Sequence, residues 1–169
     1  MTQRLLSEQE VAAYHDQGFL VVESLVPEAM LADIERDLAG LLDGARELSA
    51  SDTVFDLEDS HTPAQPRVRR IKQPHSDCGA IDVLLRSPVI SDIVGQLVGP
   101  DVRFQGTKLN FKSAEFGAPV DWHLDWAFYP HTNDDILAVG VMLDAMTPDN
   151  GPLMVLPGSH KGPAYDHHN

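Results

Sequence analysis

The chain has 169 residues, 43% of them apolar, enough for one compact domain that buries roughly 70% of the surface its unfolded chain exposes. Lys and Arg number 12 against 26 Asp and Glu, a formal net charge of −14 with no basic block, which excludes nucleic acid and anionic membrane as expected partners. The opening MTQRLLSEQE lacks the apolar core of a signal peptide and no apolar run reaches the roughly 20 residues of a membrane helix, so a soluble, cytoplasmic protein is expected.

In chain order, helices come first. Ser7 with Glu10 three residues later reads as a capping box and Gly18 as a stop, which predicts a short helix over residues 8 to 17. FLVVES, residues 19 to 24, is predicted as a strand. Pro27 fits the first turn of a second helix running to residue 42. Its Met30, Leu31, Ile34, Leu38, Leu41 and Leu42 recur at three- and four-residue steps, so that face is predicted core. Residues 43 to 66 are polar, acidic and without period, which suggests a surface excursion or partly mobile loop with His61 solvated. Cys78 is the chain's single cysteine; without a partner for a disulfide or a CxxC motif it is expected to be structural or incidental. A further helical region is predicted over about residues 80 to 98, interrupted near Pro88 and closed by Gly99 and Pro100.

From Asp101 onward the segments are short, rich in Val, Phe and Leu, and separated by Gly, Pro, Asn or Asp: VRFQGTKLNF, APVDWHLD, ILAVGVMLDAM and PLMVLPGS. That texture predicts antiparallel strands of a sandwich or barrel between about residues 101 and 156. Within it, DWHLDWAFYPH packs two tryptophans, two histidines and two aspartates into residues 121 to 131. On an extended chain the side chains of His123 and Asp125 point to one face, so an imidazole and a carboxylate can converge on one ion. Together they would supply two thirds of the facial triad that holds non-haem Fe(II). An H-x-D triplet alone is weak, and a capped surface turn is the competing reading.

The stretch KLNFKSAEFGAPVDWHLDWAFYP followed by NGPLMVLPGSHKG resembles the phytanoyl-CoA dioxygenase family of Fe(II)- and 2-oxoglutarate-dependent oxygenases, in which an apolar strand leads to WH-x-D and a PGSHK segment follows. The capped helix, GFLVVESLVPEAM and the second amphipathic helix also resemble that family's opening region, so the likeness runs over nearly the whole chain. It implies a mainly β fold with flanking helices, the double-stranded β-helix (jelly roll) of cupin-like proteins. It also implies Fe(II), 2-oxoglutarate and O2 as cofactors and co-substrate, and hydroxylation of a small organic substrate with 2-oxoglutarate converted to succinate. An alanine or glycine in place of Asp125 would suggest halogenation; the carboxylate favours hydroxylation.

Residue by residue, His123 and Asp125 match the two early iron ligands. Lys108 and Asn110 match the strand that faces the cofactor, where an ammonium suits an oxoglutarate carboxylate. Lys72, in RRIKQP, matches a lysine that touches 2-oxoglutarate in some members. Gln105 and Trp122 match the substrate side, with ordinary strand residues and a core-packed Trp122 as the equal alternative. Trp126, Phe128 and Tyr129 are either a packed aromatic cluster or a substrate wall. Gly151, Pro157 and Gly158 fit tight turns, and His160 belongs to the PGSHK signature without being the third ligand. His131 matches no ligand position.

The departure lies downstream. Family members place a second histidine ligand, and an arginine for the far carboxylate of 2-oxoglutarate, on later strands. Here nine residues follow His160 and no arginine follows Arg103; His167 and His168 are not expected to substitute. About half of the roughly eight core strands are found. The chain is therefore expected to be the front portion of a single oxygenase domain, with a helical region over about residues 1 to 100 and the first half of the β core over about 101 to 169. By itself it should bind iron weakly. The alternative is a degenerate, noncatalytic oxygenase-fold binding protein, with a cupin-type sugar or metal binder ranked last.

Overall fold

A computed structural model describes residues 5–113, 117, 119–129, 131–133, 135–165 and 167. The first helix, α1 (Glu8–Gln17), begins where the sequence predicts and for the predicted reason. The Ser7 hydroxyl accepts from the Glu10 N–H while the Glu10 carboxylate accepts from the Ser7 N–H, so two orphan donors of the first turn are satisfied reciprocally. Gly18, at φ 82°, ends it in the left-handed region and donates its N–H to the Tyr14 carbonyl. The second helix, α2 (Glu28–Gly44), follows Pro27, buries Ile34 and Leu38, and tightens into a 3₁₀ turn at Ala45–Glu47. The region predicted over residues 80 to 98 is two helices, α3 (Gly79–Leu85) and α4 (Pro88–Val98). The break falls at Ser87, whose hydroxyl accepts from the Val89 N–H to cap the second of them.

Three strands form one antiparallel sheet in the order β1 (Phe55–Leu57), β2 (Val68–Lys72), β3 (Lys108–Asn110). The register places Phe55, Ile71 and Leu109 in one row and Asp56, Arg70 and Asn110 in the next, with Lys72 opposite Lys108. Because side chains alternate across a sheet, the first row faces inward and the second outward. Phe55 and Ile71 are buried in the main core, against Ile34 and Leu38 of α2 and Ile81 and Leu84 of α3. Cys78 is fully buried in the same cluster, and burial pushes its thiol pKa up, which bears out a structural role. A second cluster joins Leu6 to Ile93 and Leu97 of α4, with Val11 and Tyr14 of α1 packed against it.

The PGSHK segment docks on the end of α1. Gly158 donates its N–H to the Gln17 carbonyl, His160 Nε2 donates to the His15 carbonyl at 3.1 Å, and Lys161 pairs with Asp16 at 2.8 Å. Gly151 and Gly158 both have positive φ, as the tight turns read from the sequence require.

Several expected elements differ. Residues 19 to 24 form no strand: Leu20, Val22 and Leu25 pack into the second cluster instead, and the chain turns at Ser24, φ 55°. The polar stretch 43 to 66 is not a featureless excursion, since it contains β1. The Asp52 carboxylate accepts the N–H groups of Val54 and Phe55 and launches the strand, and these bonds hold its pKa below the ordinary value. His61 is not simply solvated, because Nε2 meets the Leu48 carbonyl at 3.0 Å and Nδ1 accepts from the Arg67 N–H at 2.9 Å. Between residues 101 and 156, β3 alone has a ladder among the described residues, and Asp125–Phe128 is a single helical turn, α5. An apolar run becomes a strand only against a neighbour, and the segments at 136–145 and 151–156 have none among the described residues. The architecture shown is thus helices with a small antiparallel sheet. No described helix is long and apolar enough to cross a membrane.

Candidate active site

The outward face of the sheet carries Lys72, Lys108 and Asn110. Asp56 lies between two cations, 2.9 Å from Lys72 Nζ and 3.7 Å from Arg70 Nη1, and Arg70 Nε donates to Asn110 Oδ1 at 3.2 Å. Lys72 also donates to the Asp52 carbonyl at 2.6 Å. Lys108, directly across from Lys72, turns instead toward Asp125, with Nζ 4.0 Å from Oδ1.

The same carboxylate oxygen faces His123 Nε2 at 3.5 Å. The other ring nitrogen, Nδ1, lies 2.7 Å from the Asp121 carbonyl. A carbonyl only accepts, so Nδ1 carries the proton, and in the neutral ring the Nε2 lone pair is left directed at the Asp125 side. This is the arrangement by which a backbone acceptor fixes the tautomer and orientation of a ligating imidazole. Two donors held about 2.1 Å from one ion at a right angle stand about 3 Å apart; the observed separation fits that with a small adjustment. The convergence read from the sequence is therefore present, although Asp125 opens a helical turn rather than continuing a strand.

The aromatic residues around the pair form a stack: the Phe128 ring meets His123 edge-on at 5.8 Å and lies parallel to His167 at 5.7 Å. His167 Nε2 accepts from the Leu124 N–H at 3.0 Å, which occupies its lone pair with the backbone between the two candidate ligands. Among the described residues no group of three His, Cys, Asp or Glu could hold a metal ion. His168 lies outside the described residues. Trp126 donates from Nε1 to the Asn133 carbonyl at 3.2 Å.

The remaining predicted residues divide. Asn110 shares the face with Lys108 but bonds Arg70, and Lys72 shares it while committed to Asp56. Gln105 is exposed, and Trp122 is 64% exposed. Arg70 and Asp56 were not singled out from the sequence. The readable signal was R-I-K at residues 70 to 72, where an apolar residue between two cations marks two outward positions of a strand.

Residues 14–169 match the family model for phytanoyl-CoA dioxygenase (PhyH). The chain is 39% identical over 165 residues to a probable alpha-ketoglutarate-dependent hypophosphite dioxygenase of Stutzerimonas stutzeri, covering 98% of this chain and 57% of that protein. It is 28% identical over 161 residues to the ectoine dioxygenase of Sphingopyxis alaskensis, covering 92% and 50%. A shorter match, 39% over 84 residues, reaches the L-proline trans-4-hydroxylase of Streptomyces griseoviridis and covers 47% and 31%. The chain thus spans about half the length of the first two relatives. A family match over nearly every residue, on a chain whose H-x-D pair converges beside a cationic sheet face, leads to one assignment: this chain belongs to the phytanoyl-CoA dioxygenase family.

Proposed function

We propose that this chain is part of an Fe(II)- and 2-oxoglutarate-dependent dioxygenase that hydroxylates a small polar molecule. The observation that carries the proposal is the His123 tautomer, fixed by Asp121 so that Nε2 faces Asp125 Oδ1. When bound, iron with 2-oxoglutarate and O2 supplies the oxidation, so that substrate, O2 and 2-oxoglutarate become hydroxylated substrate, succinate and CO2. The chain's own residues do the positioning. His123 and Asp125 hold the ion through a nitrogen and a carboxylate oxygen, and Lys108 and Asn110 present an ammonium and an amide to a carboxylate. Lys72 supports the same face through Asp56. Gln105 and Trp122, both exposed, are left free for the substrate side.

Hypophosphite, ectoine and L-proline, in the names of the relatives, are all small and polar. A formal charge of −14 also disfavours a polyanionic thioester. We further infer that residues 1–169 form part of one oxygenase domain. Its double-stranded β-helix would be completed by strands equivalent to the rest of the relatives' length. The exposed Leu153, Met154 and Leu156 support that reading, since each lies 65% exposed in a segment of strand-like composition.

The test is succinate formation by the gene product at its natural length, supplied with Fe(II), 2-oxoglutarate and a panel of small polar substrates. Turnover should require iron and one substrate, and Asp125→Ala should abolish it. Unchanged turnover in that variant would refute the assignment. The 169-residue chain alone should bind Fe(II) weakly, because two donors offset little of the ion's dehydration.

A further inference from the structure

Resting on the reading of His123 and Asp125 as the metal pair, we propose that His167 is a positioning residue for that pair, one that joins no ion itself and holds the backbone between the two by accepting the Leu124 N–H. Leu124 is where the chain leaves an extended conformation, φ −106° and ψ 123°, and enters the single turn of α5, and its own side chain makes no capping bond. Its two backbone dihedrals help to set how the side chains on either side of it stand to one another. A half-buried N–H at that point needs an acceptor. The acceptor is His167 Nε2, at 3.0 Å and 43 residues further along the chain.

Because a donor faces Nε2, that nitrogen carries the lone pair of the neutral ring and Nδ1 the proton. A lone pair spent on the Leu124 N–H is not available to an ion, so the ring braces the turn rather than extending the donor set. The same ring lies parallel to Phe128, at 11° and 5.7 Å, and Phe128 meets the His123 ring edge-on at 5.8 Å. His167 therefore bears on the pair twice, through the backbone between the two residues and through the ring packed on His123. It is itself held at short range. His167 follows Lys161 by six residues, and the Lys161 ammonium pairs with Asp16 of α1 at 2.8 Å. The stretch from the PGSHK segment to the H-x-D turn is thus fastened at both ends.

The experiment uses the natural-length protein and reads two quantities: amide hydrogen exchange at Leu124 in the metal-free state, and Mn(II) affinity from the electron paramagnetic resonance of the free ion in the absence of O2. His167→Phe keeps a ring against Phe128 and removes the acceptor, whereas His167→Gln supplies a carbonyl acceptor and removes the ring. His167→Phe should speed exchange at Leu124 about fivefold, the equivalent of one hydrogen bond. It should also weaken Mn(II) binding about tenfold, the lower end of what the loss of an outer partner costs a metal site. His167→Gln should restore both. Unchanged exchange at Leu124 in His167→Phe, or faster exchange with unchanged Mn(II) affinity, would overturn the proposal. Mn(II) binding abolished in both variants would overturn it too, by making His167 a ligand. Each of those results leaves the metal pair standing, whereas Mn(II) affinity unchanged in His123→Ala would remove the pair and the brace with it.

Discussion

Gly18 is the residue on which the contact between the first helix and the PGSHK segment turns. It sits at φ 82°, and a Cβ there would lie 2.7 Å from Cγ and 2.9 Å from Cε1 of the His160 ring, closer than real Cβ contacts allow. Gly18→Ala should therefore incur two costs. The left-handed conformation costs an alanine about 1 kcal/mol. The imidazole must also move, breaking its hydrogen bond to the His15 carbonyl, which is worth about 1 kcal/mol. The total is about 2 kcal/mol, a large share of a typical 5–15 kcal/mol stability. In a His160→Ala background the clash is absent, and the same substitution should cost only the conformational part, about 1 kcal/mol. Urea unfolding of the four proteins of this cycle, followed by far-UV circular dichroism, should give a coupling of about 1 kcal/mol. Costs that add to within about 0.3 kcal/mol would show that His160 does not rest on Gly18.

Acidification should loosen the same contact. The hydrogen bond from Lys161 holds the Asp16 carboxyl below the ordinary aspartate value, and a group whose folded pKa is depressed contributes stability above its unfolded value and loses it as pH falls through the folded one. The Asp16 carboxyl resonance should accordingly titrate below the ordinary aspartate range in the wild type and move up toward it in Lys161→Met. Asp37→Ala should cost about 1 kcal/mol in the urea transition, because Asp37 Oδ2 accepts the Ala80 N–H at 2.9 Å and serves as a remote cap for α3, whose own cap position, Cys78, makes no side-chain capping bond and donates from Sγ to the same oxygen at 3.8 Å; Asp37→Asn should recover most of it.

The helices were legible because their signals are local. Ser7 and Glu10, Gly18, and the spacing from Met30 to Leu42 each act within a few residues, and the observed boundaries fall within two residues of those predicted. Strands depend on partners far along the chain. FLVVES and PLMVLPGS have strand composition, yet neither has a ladder, whereas Phe55–Leu57, hidden among aspartates and serines, pairs with β2. The site divides in the same way. The approach of His123 and Asp125 to one another could be read directly from their spacing. The commitment of Lys72 to Asp56 could not, since it follows from the register of β1 on β2.

The bonds from the PGSHK segment to α1 span 145 residues. Closing a loop of that size costs about 4 kcal/mol in chain entropy, roughly twice the figure for a ten-residue loop. During synthesis at about 5–20 residues per second, α1 leaves the ribosome many seconds before His160 and Lys161. Its start is secured by its own residues as soon as Glu10 is available, while its last turn must wait for the second motif. The fastening of the helix end thus waits for the second motif, and it closes only after the H-x-D segment has also been made.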